Sequence, residues 1–242
     1  MILQERKQVS SELNDLIFEN RADATTKLLD ILPKEKMEED SWLLVCVSVQ
    51  AVPLANVIAK KLNLNYDLLF CEPICAPNNK NCTIGMVSET EEIILHSELV
   101  ESFAINLDFI YGEAHRQYEE KILPKVYKYR KGDLIGSLSG KNVLLIDEGC
   151  ETGMTVMAAV KTVINGGAKS VAYATPVISS DVASSLEPVT DEIFFVHKIS
   201  NFVDVEFYYQ MLKELDADAV LEIINNSKNY LPFQKEEKID GI

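Results

Sequence analysis

The chain has few cationic residues and no long apolar run. Its 242 residues hold 23 Lys and Arg against 38 Asp and Glu, a formal net charge of −15. No basic stripe stands out, which argues against nucleic acid or an anionic membrane surface as a partner. No stretch approaches the ~18 uninterrupted apolar residues of a membrane span, and the first residues do not have the basic-then-apolar layout of a signal peptide. We therefore expect a protein of the cytoplasm.

Cysteine is sparse and irregularly spaced. An odd number of cysteines without an export signal indicates reduced thiols. A metal site built from three of these cysteines with His96 was considered, but their spacing matches no C-x-x-C pattern, so we expect neither disulfides nor zinc. For the three histidines, a surface or structural role is the default. The residues concerned are Cys46, Cys71, Cys75, Cys82 and Cys150, and His96, His115 and His197.

The order of periodic segments predicts an α/β fold. With 47% hydrophobic and 25% charged residues, the chain fits one large domain, or one domain plus a small appendage. Strands alternating with helices predict a mainly parallel sheet flanked by helices. Strands are predicted near residues 42–47, 66–71, 92–95, 143–146, 170–177 and 192–197. Helices are predicted near residues 1–31, 52–62, 97–129, 156–164, 181–186 and 216–224.

One stretch, VLLIDEGCETGMT from Val143 to Thr155, combines the features of a ligand site. An apolar run predicts a strand buried on both faces, and Asp147 and Glu148 follow where that strand emerges. The carboxyl ends of parallel strands are where open α/β sheets bind ligands. Thr152 to Thr155 then precede a helical pattern, so free backbone amides, two hydroxyls and the helix dipole favour a bound phosphate there. Gly153 allows the ligand to approach the backbone closely.

Two carboxylates beside a phosphate cradle suit a 5-phosphorylated ribose. The acids would bind vicinal hydroxyls, directly or through Mg²⁺, while the loop holds the phosphate of the same molecule. A plainer interpretation is that the acids are solvated residues at a strand end and Thr-Gly-Met-Thr is an ordinary turn. The order of the apolar run, the two carboxylates, the short linker, the Thr-Gly-x-Thr loop and the helical pattern favours the sugar-phosphate site.

This stretch resembles the ribose-phosphate motif of the type I phosphoribosyltransferases. The resemblance implies a core of that fold, a 5-phosphoribosyl pyrophosphate (PRPP) ligand and Mg²⁺ held indirectly by Asp147 and Glu148. Asp usually occupies the second acid position, where this chain has Glu148. Glu151 matches a position that carries a general base in some members; facing solvent is the alternative. The implied binding residues are Asp147, Glu148, Gly149, Cys150, Glu151, Thr152, Gly153, Met154 and Thr155, with Glu151 and Asp147 as the catalytic pair.

The resemblance extends over roughly residues 18–225. FENRADATTKLLDIL, VPLA, APNNKNCTIGMVSE and the stretch from Phe207 to Ile224 look like a bacterial branch known only as predicted phosphoribosyltransferases. It implies a pyrophosphate loop at Ser48, Val49, Gln50 and Ala51, where that branch has Arg-Gly-Gly at Val49 to Ala51. It also implies a small hood at residues 72–96. Residues 1–17 are then a helical extension and residues 226–242 a loose tail.

Two functions follow from these residues. The first is transfer of 5-phosphoribosyl from PRPP to a nitrogenous base, with Mg²⁺ as cofactor, a small phosphorylated ribose as partner and a homodimer as the assembly considered. The second is a binding or regulatory protein that keeps the ribose-phosphate site without turnover, because cations are missing at the pyrophosphate loop and at Glu72 and Pro73. The aromatics from Phe202 to Tyr209 could stack on a base or fill a core.

Overall fold

A computed structural model describes residues 17–234 as an α/β fold with three sheets. The strands are β1 (Phe18–Asn20), β2 (Leu43–Cys46), β3 (Asn65–Leu68), β4 (Cys71–Ala76), β5 (Asn79–Ser88), β6 (Ile93–Leu95), β7 (Asn142–Ile146), β8 (Ser170–Ser179), β9 (Glu192–Ile199) and β10 (Tyr209–Met211). The helices are α1 (Arg21–Ile31), α2 (Lys34–Glu39), α3 (Val52–Leu62), α4 (Ser97–Ser102), α5 (Leu107–Gln117), α6 (Leu123–Arg130), α7 (Met154–Asn165), α8 (Ser180–Leu186), α9 (Ala217–Asn225) and α10 (Leu231–Gln234).

The central sheet is parallel and confirms the predicted fold class. Its order is β3-β2-β7-β8-β9, and every residue of β2 and β7 is buried, as expected of strands covered on both faces. The chain runs from β2 outward to β3 and later returns to place β7 on the other side of β2. The β2/β7 boundary is therefore a topological switch point, where α/β sheets form their ligand crevice.

Helices bury both faces of this sheet in two apolar layers. One layer includes α1 and α3, and the other is formed mainly by α7 and α8. Helix α1 begins at Arg21 because the Asn20 side chain accepts hydrogen bonds from the Ala22 and Asp23 amides at 2.9 and 3.1 Å. Helix α3 occupies the predicted residues, with Pro53 in its first turn.

The hood is a sheet rather than a loop. Strands β4, β5 and β6 pair antiparallel, and Gly85 lies at their centre, where an added Cβ would meet the Ile94 carbonyl oxygen at 2.6 Å. The segment predicted as one helix over residues 97–129 is interrupted at residues 103–106, and a π-helical turn spans Tyr118–Ile122 before Pro124. Residues of the hood line one cavity together with residues that follow β2 and β3, so the hood lies beside the carboxyl ends of these strands.

Both ends of the described chain differ from expectation. Phe18–Asn20, predicted as helix, forms β1 and pairs parallel with β10. Residues 226–234, expected to be loose, contain the fully buried Tyr230, whose hydroxyl donates to the Tyr129 carbonyl oxygen at 3.0 Å. The remainder of the predicted extension and tail, residues 1–16 and 235–242, lies outside the described residues. No helix between residues 17 and 234 combines the length and apolar character of a membrane span.

Strand β8 runs to Ser179, two residues beyond the end predicted from the sequence, and passes through Pro176. Thr175 pairs with Phe195 and Val177 with His197, so the ladder to β9 passes over the proline. On the other side, pairing with β7 ends at Ala174. Proline is tolerated in a strand where no ladder bond needs its missing N–H. The extension gives the loop after β7 a backbone partner that it would otherwise lack.

Candidate functional site

Asp147 and Ser48 meet at the switch point. Asp147 follows β7, Ser48 follows β2, and the Ser48 hydroxyl donates to Asp147 Oδ1 at 2.8 Å. The same oxygen accepts the backbone N–H of Glu148 at 2.9 Å. Side chains from two neighbouring strand ends are therefore joined where the sequence predicted a sugar site.

Burial controls the charge of Asp147. It raises the pKa of this carboxyl to about 7, although the hydrogen bonds from Ser48 and the Glu148 amide act in the opposite direction. The neighbouring Glu148 carboxylate raises the pKa further. Asp147 can therefore exchange a proton near neutral pH, which suits a group that receives a hydroxyl or a developing positive charge.

Glu148 is paired with a cation that the sequence analysis did not identify. Arg21 Nε lies 2.7 Å from Glu148 Oε2, and the two side chains are only 14% and 13% exposed. Arg21 Nη1 also donates to the Lys213 carbonyl oxygen at 3.1 Å, and the Tyr209 hydroxyl donates to the Glu148 carbonyl oxygen at 2.6 Å. The pairing of β1 with β10 thus brings both ends of the described chain onto the second acid.

The pyrophosphate loop is fixed by side chains. Residues 49–51 form a short 3-10 turn that Ser48 caps by accepting the Ala51 amide at 3.3 Å. The Gln50 carboxamide donates to the Leu215 carbonyl oxygen at 3.0 Å and accepts the Leu215 amide at 2.8 Å. Gln50 therefore ties this loop to the segment before α9, and the loop presents no cationic side chain of its own.

The phosphate loop, Thr152 to Thr155, is instead shaped by backbone. Gly153 has φ +71°, and a Cβ there would lie 2.6 Å from Val182 Cγ1, so this position requires glycine. Cys150 forms a bridge to Ile178 in the extended part of β8 and fixes the start of the turn. Helix α7 begins at Met154, two residues before the predicted start, so the first-turn amides lie at the loop itself.

Two adjoining cavities divide the predicted site residues. The larger, about 770 Å³, lies between the phosphate loop and the hood; the smaller, about 540 Å³, lies along the acid pair. Ser48 lines both. The larger cavity also includes Val49, Glu72, Pro73, His96, Lys125, Thr152, Met154 and Thr155. The smaller also includes Gln50, Asp147, Glu148, Gly149, Asp204 and Glu206.

Lys125 is a second unpredicted cation. It extends from α6 into the wall of the larger cavity, where its ammonium group forms an ion pair with Glu72. Glu72 is the acid at a position where the family resemblance implies a basic residue, and the Lys125 ammonium group neutralises its charge. The cavity wall beside the pyrophosphate loop is therefore less negative than the sequence predicts.

Several predicted site residues do not line either cavity. Glu151 is exposed and lines neither cavity, and Cys150 and Ala51 are buried. Tyr208 and Tyr209 are buried in one apolar cluster with Phe18, and Phe202 packs against that cluster, which favours the core interpretation over base stacking for these residues; Phe207 is exposed. The five cysteines are free thiols.

The acids do not fit a directly bound Mg²⁺. Glu148 already contacts the Arg21 guanidinium, whose charge repels a divalent cation at this distance. One oxygen of Asp147 accepts two hydrogen bonds. Within residues 17–234 there is no group of three or more His, Cys, Asp or Glu residues that could hold a metal ion. The Arg21 contact with Glu148 is therefore what disfavours a direct Mg²⁺ ligand, because Mg²⁺ otherwise needs only one or two carboxylates beside waters and ligand phosphates.

Sequence signals for the two cations were of unequal strength. Arg21 lies inside the stretch FENRADATTKLLDIL, which carried the family resemblance, so that stretch could have drawn attention to it. Lys125 had no such signal, because its contact with Glu72 spans 53 residues and crosses from helix to hood. Both contacts depend on tertiary structure.

A parallel sheet with this cleft at its switch point defines the class of α/β proteins with a type I phosphoribosyltransferase fold. The chain belongs to the phosphoribosyl transferase domain family, whose model matches residues 16–211. TT1426 from Thermus thermophilus, a solved crystal structure, is similar in fold, with 23% identity, a TM-score of 0.69 and coverage of 86% of this chain and 97% of that chain.

Curated relatives extend the comparison to longer proteins. A Mycobacterium tuberculosis (strain CDC 1551 / Oshkosh) protein named "Putative phosphoribosyl transferase MT0597" is 21% identical over 211 residues. The match covers 87% of this chain and 47% of the relative, so the chain spans about half the length of the curated relatives it matches. A second relative, from strain ATCC 25618 / H37Rv, matches to the same extent.

Proposed function

We propose that this chain transfers the 5-phosphoribosyl group of PRPP to a nitrogen of a base and releases pyrophosphate. One observation carries the proposal. Asp147 and the phosphate loop both follow strand β7, and they line two adjoining cavities that share Ser48. In the proposed complex, the loop amides and the Thr152 and Thr155 hydroxyls hold the 5-phosphate of the ligand. Asp147 and Glu148 accept the ribose hydroxyls.

The reaction breaks one bond at C1 of the ribose and forms another. The C1–O bond to pyrophosphate breaks with its electron pair, which leaves with pyrophosphate, and the acceptor nitrogen forms a C1–N bond. Positive charge develops on the sugar ring between these events, and in this proposal the Asp147 carboxylate stabilises that charge. The proton lost by the acceptor nitrogen passes to a carboxylate. Our proposed base is Glu151, which lines neither cavity itself but directly precedes Thr152 in the wall of the larger one.

The test is a pyrophosphate-release assay with PRPP and a panel of purine, pyrimidine and pyridine bases. We expect release that requires one base, and we expect Asp147→Asn to abolish it while the variant stays folded by circular dichroism. Release without a base would indicate hydrolysis. No release with any base, when calorimetry still detects ribose 5-phosphate, would favour the second function below.

The second function is ligand binding without turnover. Gln50 locks the pyrophosphate loop to Leu215, and the loop carries Val49 where a cation would contact pyrophosphate. Fold alone does not establish activity. Under this proposal ribose 5-phosphate and PRPP bind with similar affinity, and the bound state is read by a partner. Size-exclusion chromatography with and without ligand tests the homodimer at the same time.

A further inference from the structure

We propose that Arg21 takes the place of a divalent cation at the acid pair, so that the phosphorylated ribose binds without Mg²⁺. The inference rests on the proposed function, because it concerns the same ligand in the same cleft. It departs from the Mg²⁺ requirement that the family resemblance implies. It is based on the contacts that the Arg21 guanidinium group makes.

Arg21 is built into the site from several directions. Its Nε contacts Glu148 Oε2 at 2.7 Å, its Nη1 donates to the Lys213 carbonyl oxygen at 3.1 Å, and its Nη2 reaches Gln50 Oε1 at 3.5 Å. The Asn20 cap fixes the first turn of α1, so the side chain starts from a rigid backbone. An ion pair with this little exposure is not a solvated surface contact.

The charge balance of the cleft favours the same conclusion. A divalent cation between two carboxylates and an anionic ligand neutralises repulsion between them. Here the guanidinium supplies a permanent positive charge within hydrogen-bond distance of Glu148, and Arg stays protonated at all physiological pH values. A Mg²⁺ ion at Glu148 would first have to displace that charge or lie close to it.

The pairing still leaves oxygens for the sugar. Arg21 contacts Oε2 of Glu148, and the Ser48 and backbone bonds contact Oδ1 of Asp147, so Oε1 and Oδ2 remain to accept ribose hydroxyls. Hydroxyl-to-carboxylate hydrogen bonds are charge-assisted and need no metal between the groups. Arg21 is thus a positioning residue for Glu148 and the local counter-charge of the site.

The test is calorimetry of ribose 5-phosphate with the full chain, once in EDTA and once in excess MgCl₂. This ligand has no pyrophosphate, so it avoids the Mg²⁺ that PRPP itself carries. We expect the wild-type affinities to agree within about threefold. A larger loss in EDTA overturns the inference and leaves the proposed function standing, whereas no binding in either buffer overturns both.

Variants assign the effect to Arg21. In Arg21→Met, Glu148 is unpaired and open to Mg²⁺, so we expect binding in EDTA to weaken and MgCl₂ to restore it by about tenfold or more. Arg21→Lys keeps a cation and should stay Mg²⁺-independent. Lys34→Met removes the exposed Lys34–Asp30 pair and is the matched control. Equal Mg²⁺ responses in Arg21→Met and Lys34→Met would overturn the role of Arg21.

The wild-type comparison needs no variant, so the inference stays testable if Arg21→Met does not fold. Thermal melting of each variant without ligand separates folding from binding. Glu148→Gln provides a second check, because it removes the carboxylate that Mg²⁺ would use while retaining Arg21. We expect this variant to bind ribose 5-phosphate equally well in EDTA and in MgCl₂. Tighter binding in MgCl₂ would mean that Mg²⁺ acts at another position and would contradict the inference.

Discussion

The two loops that meet at the switch point are built in opposite ways. The phosphate loop is shaped by backbone: a glycine with positive φ, a bridge from Cys150 and the start of α7. The pyrophosphate loop is held by side chains: Ser48 on Asp147 and Gln50 on Leu215. A loop of the first kind keeps its amides for an anion, whereas a loop of the second kind uses its polar groups internally. We therefore expect the cleft to bind a single phosphate better than a second one at the predicted pyrophosphate loop.

The largest expected effect comes from placing a negative charge on the phosphate loop. Thr152→Asp should weaken ribose 5-phosphate binding by about 100-fold, because it replaces a donor by a charge of the ligand's own sign. Thermal stability should not fall, since an acid near a helix N-terminus is favourable. Calorimetry and melting curves measure both quantities. Ser184→Asp, on the exposed face of α8, is the charge control. Equal affinities for the two variants would show that the phosphate does not bind at this loop.

A smaller effect is expected when the cation in the larger cavity is released. Glu72→Gln frees Lys125 for the ligand, so PRPP affinity should rise by about tenfold while ribose 5-phosphate stays within about threefold. We expect the wild type to prefer PRPP by less than ~100-fold, and a larger preference would mean that the pyrophosphate loop is competent as it stands. Glu92→Gln, which removes the pair with Lys161, is the matched control.

Unlocking the pyrophosphate loop tests the other half of the comparison. Gln50→Ala removes both bonds to Leu215, and the free energy of unfolding should fall by about 1–2 kcal/mol. Chemical denaturation measures this. Gln117→Ala, which loses one bond to Glu113 on a helix surface, should change stability by less than about 0.5 kcal/mol. Equal losses in the two variants would show that the lock contributes nothing beyond a surface bond.

The last effect is the pH dependence that Asp147 contributes to stability. Because its pKa is about 7 in the folded protein and lower in the unfolded chain, its contribution is fully present below the unfolded pKa and is lost as pH rises through about 7. Asp147→Asn should flatten this part of the stability profile between about pH 4 and pH 7. Asp67→Asn should act around pH 6 by the same logic, since burial raises the pKa of Asp67 to about 6. An unchanged profile in Asp147→Asn would contradict the burial of that carboxyl.

The predictable part of the fold is the part encoded by contiguous residues. Strand β7, the acids and the start of α7 follow one another within a single stretch, so hydrophobic periodicity and turn residues were sufficient to place them. Helix α3 was predicted at its observed bounds for the same reason. Sequence patterns of this kind report local preference and burial.

The unpredictable part depends on pairing over long distances. Arg21 contacts Glu148 across 127 residues, and no local pattern indicates that β1 will pair with β10. Phe18–Asn20 resembles the start of the following helix because three residues are too few to show strand alternation. The sequence predicts that β8 ends just after Pro176, because the tolerance of this proline depends on which side of β8 is still paired. The sequence does not identify Arg21 and Lys125 as cations of the cleft, because both contact their partners across long stretches of chain.

The pairing of β1 with β10 also has a consequence for how the protein folds. Arg21 and Lys213 lie 192 residues apart, so a very long loop of the described chain must close before Glu148 acquires its partner. Contacts of such sequence separation form late, because their closure entropy has to be offset by structure already in place. A chain still being synthesised has the phosphate loop before it has residue 213. We therefore expect ligand binding to appear only with the last folding step, so that a phosphorylated ribose distinguishes the finished protein from every shorter intermediate.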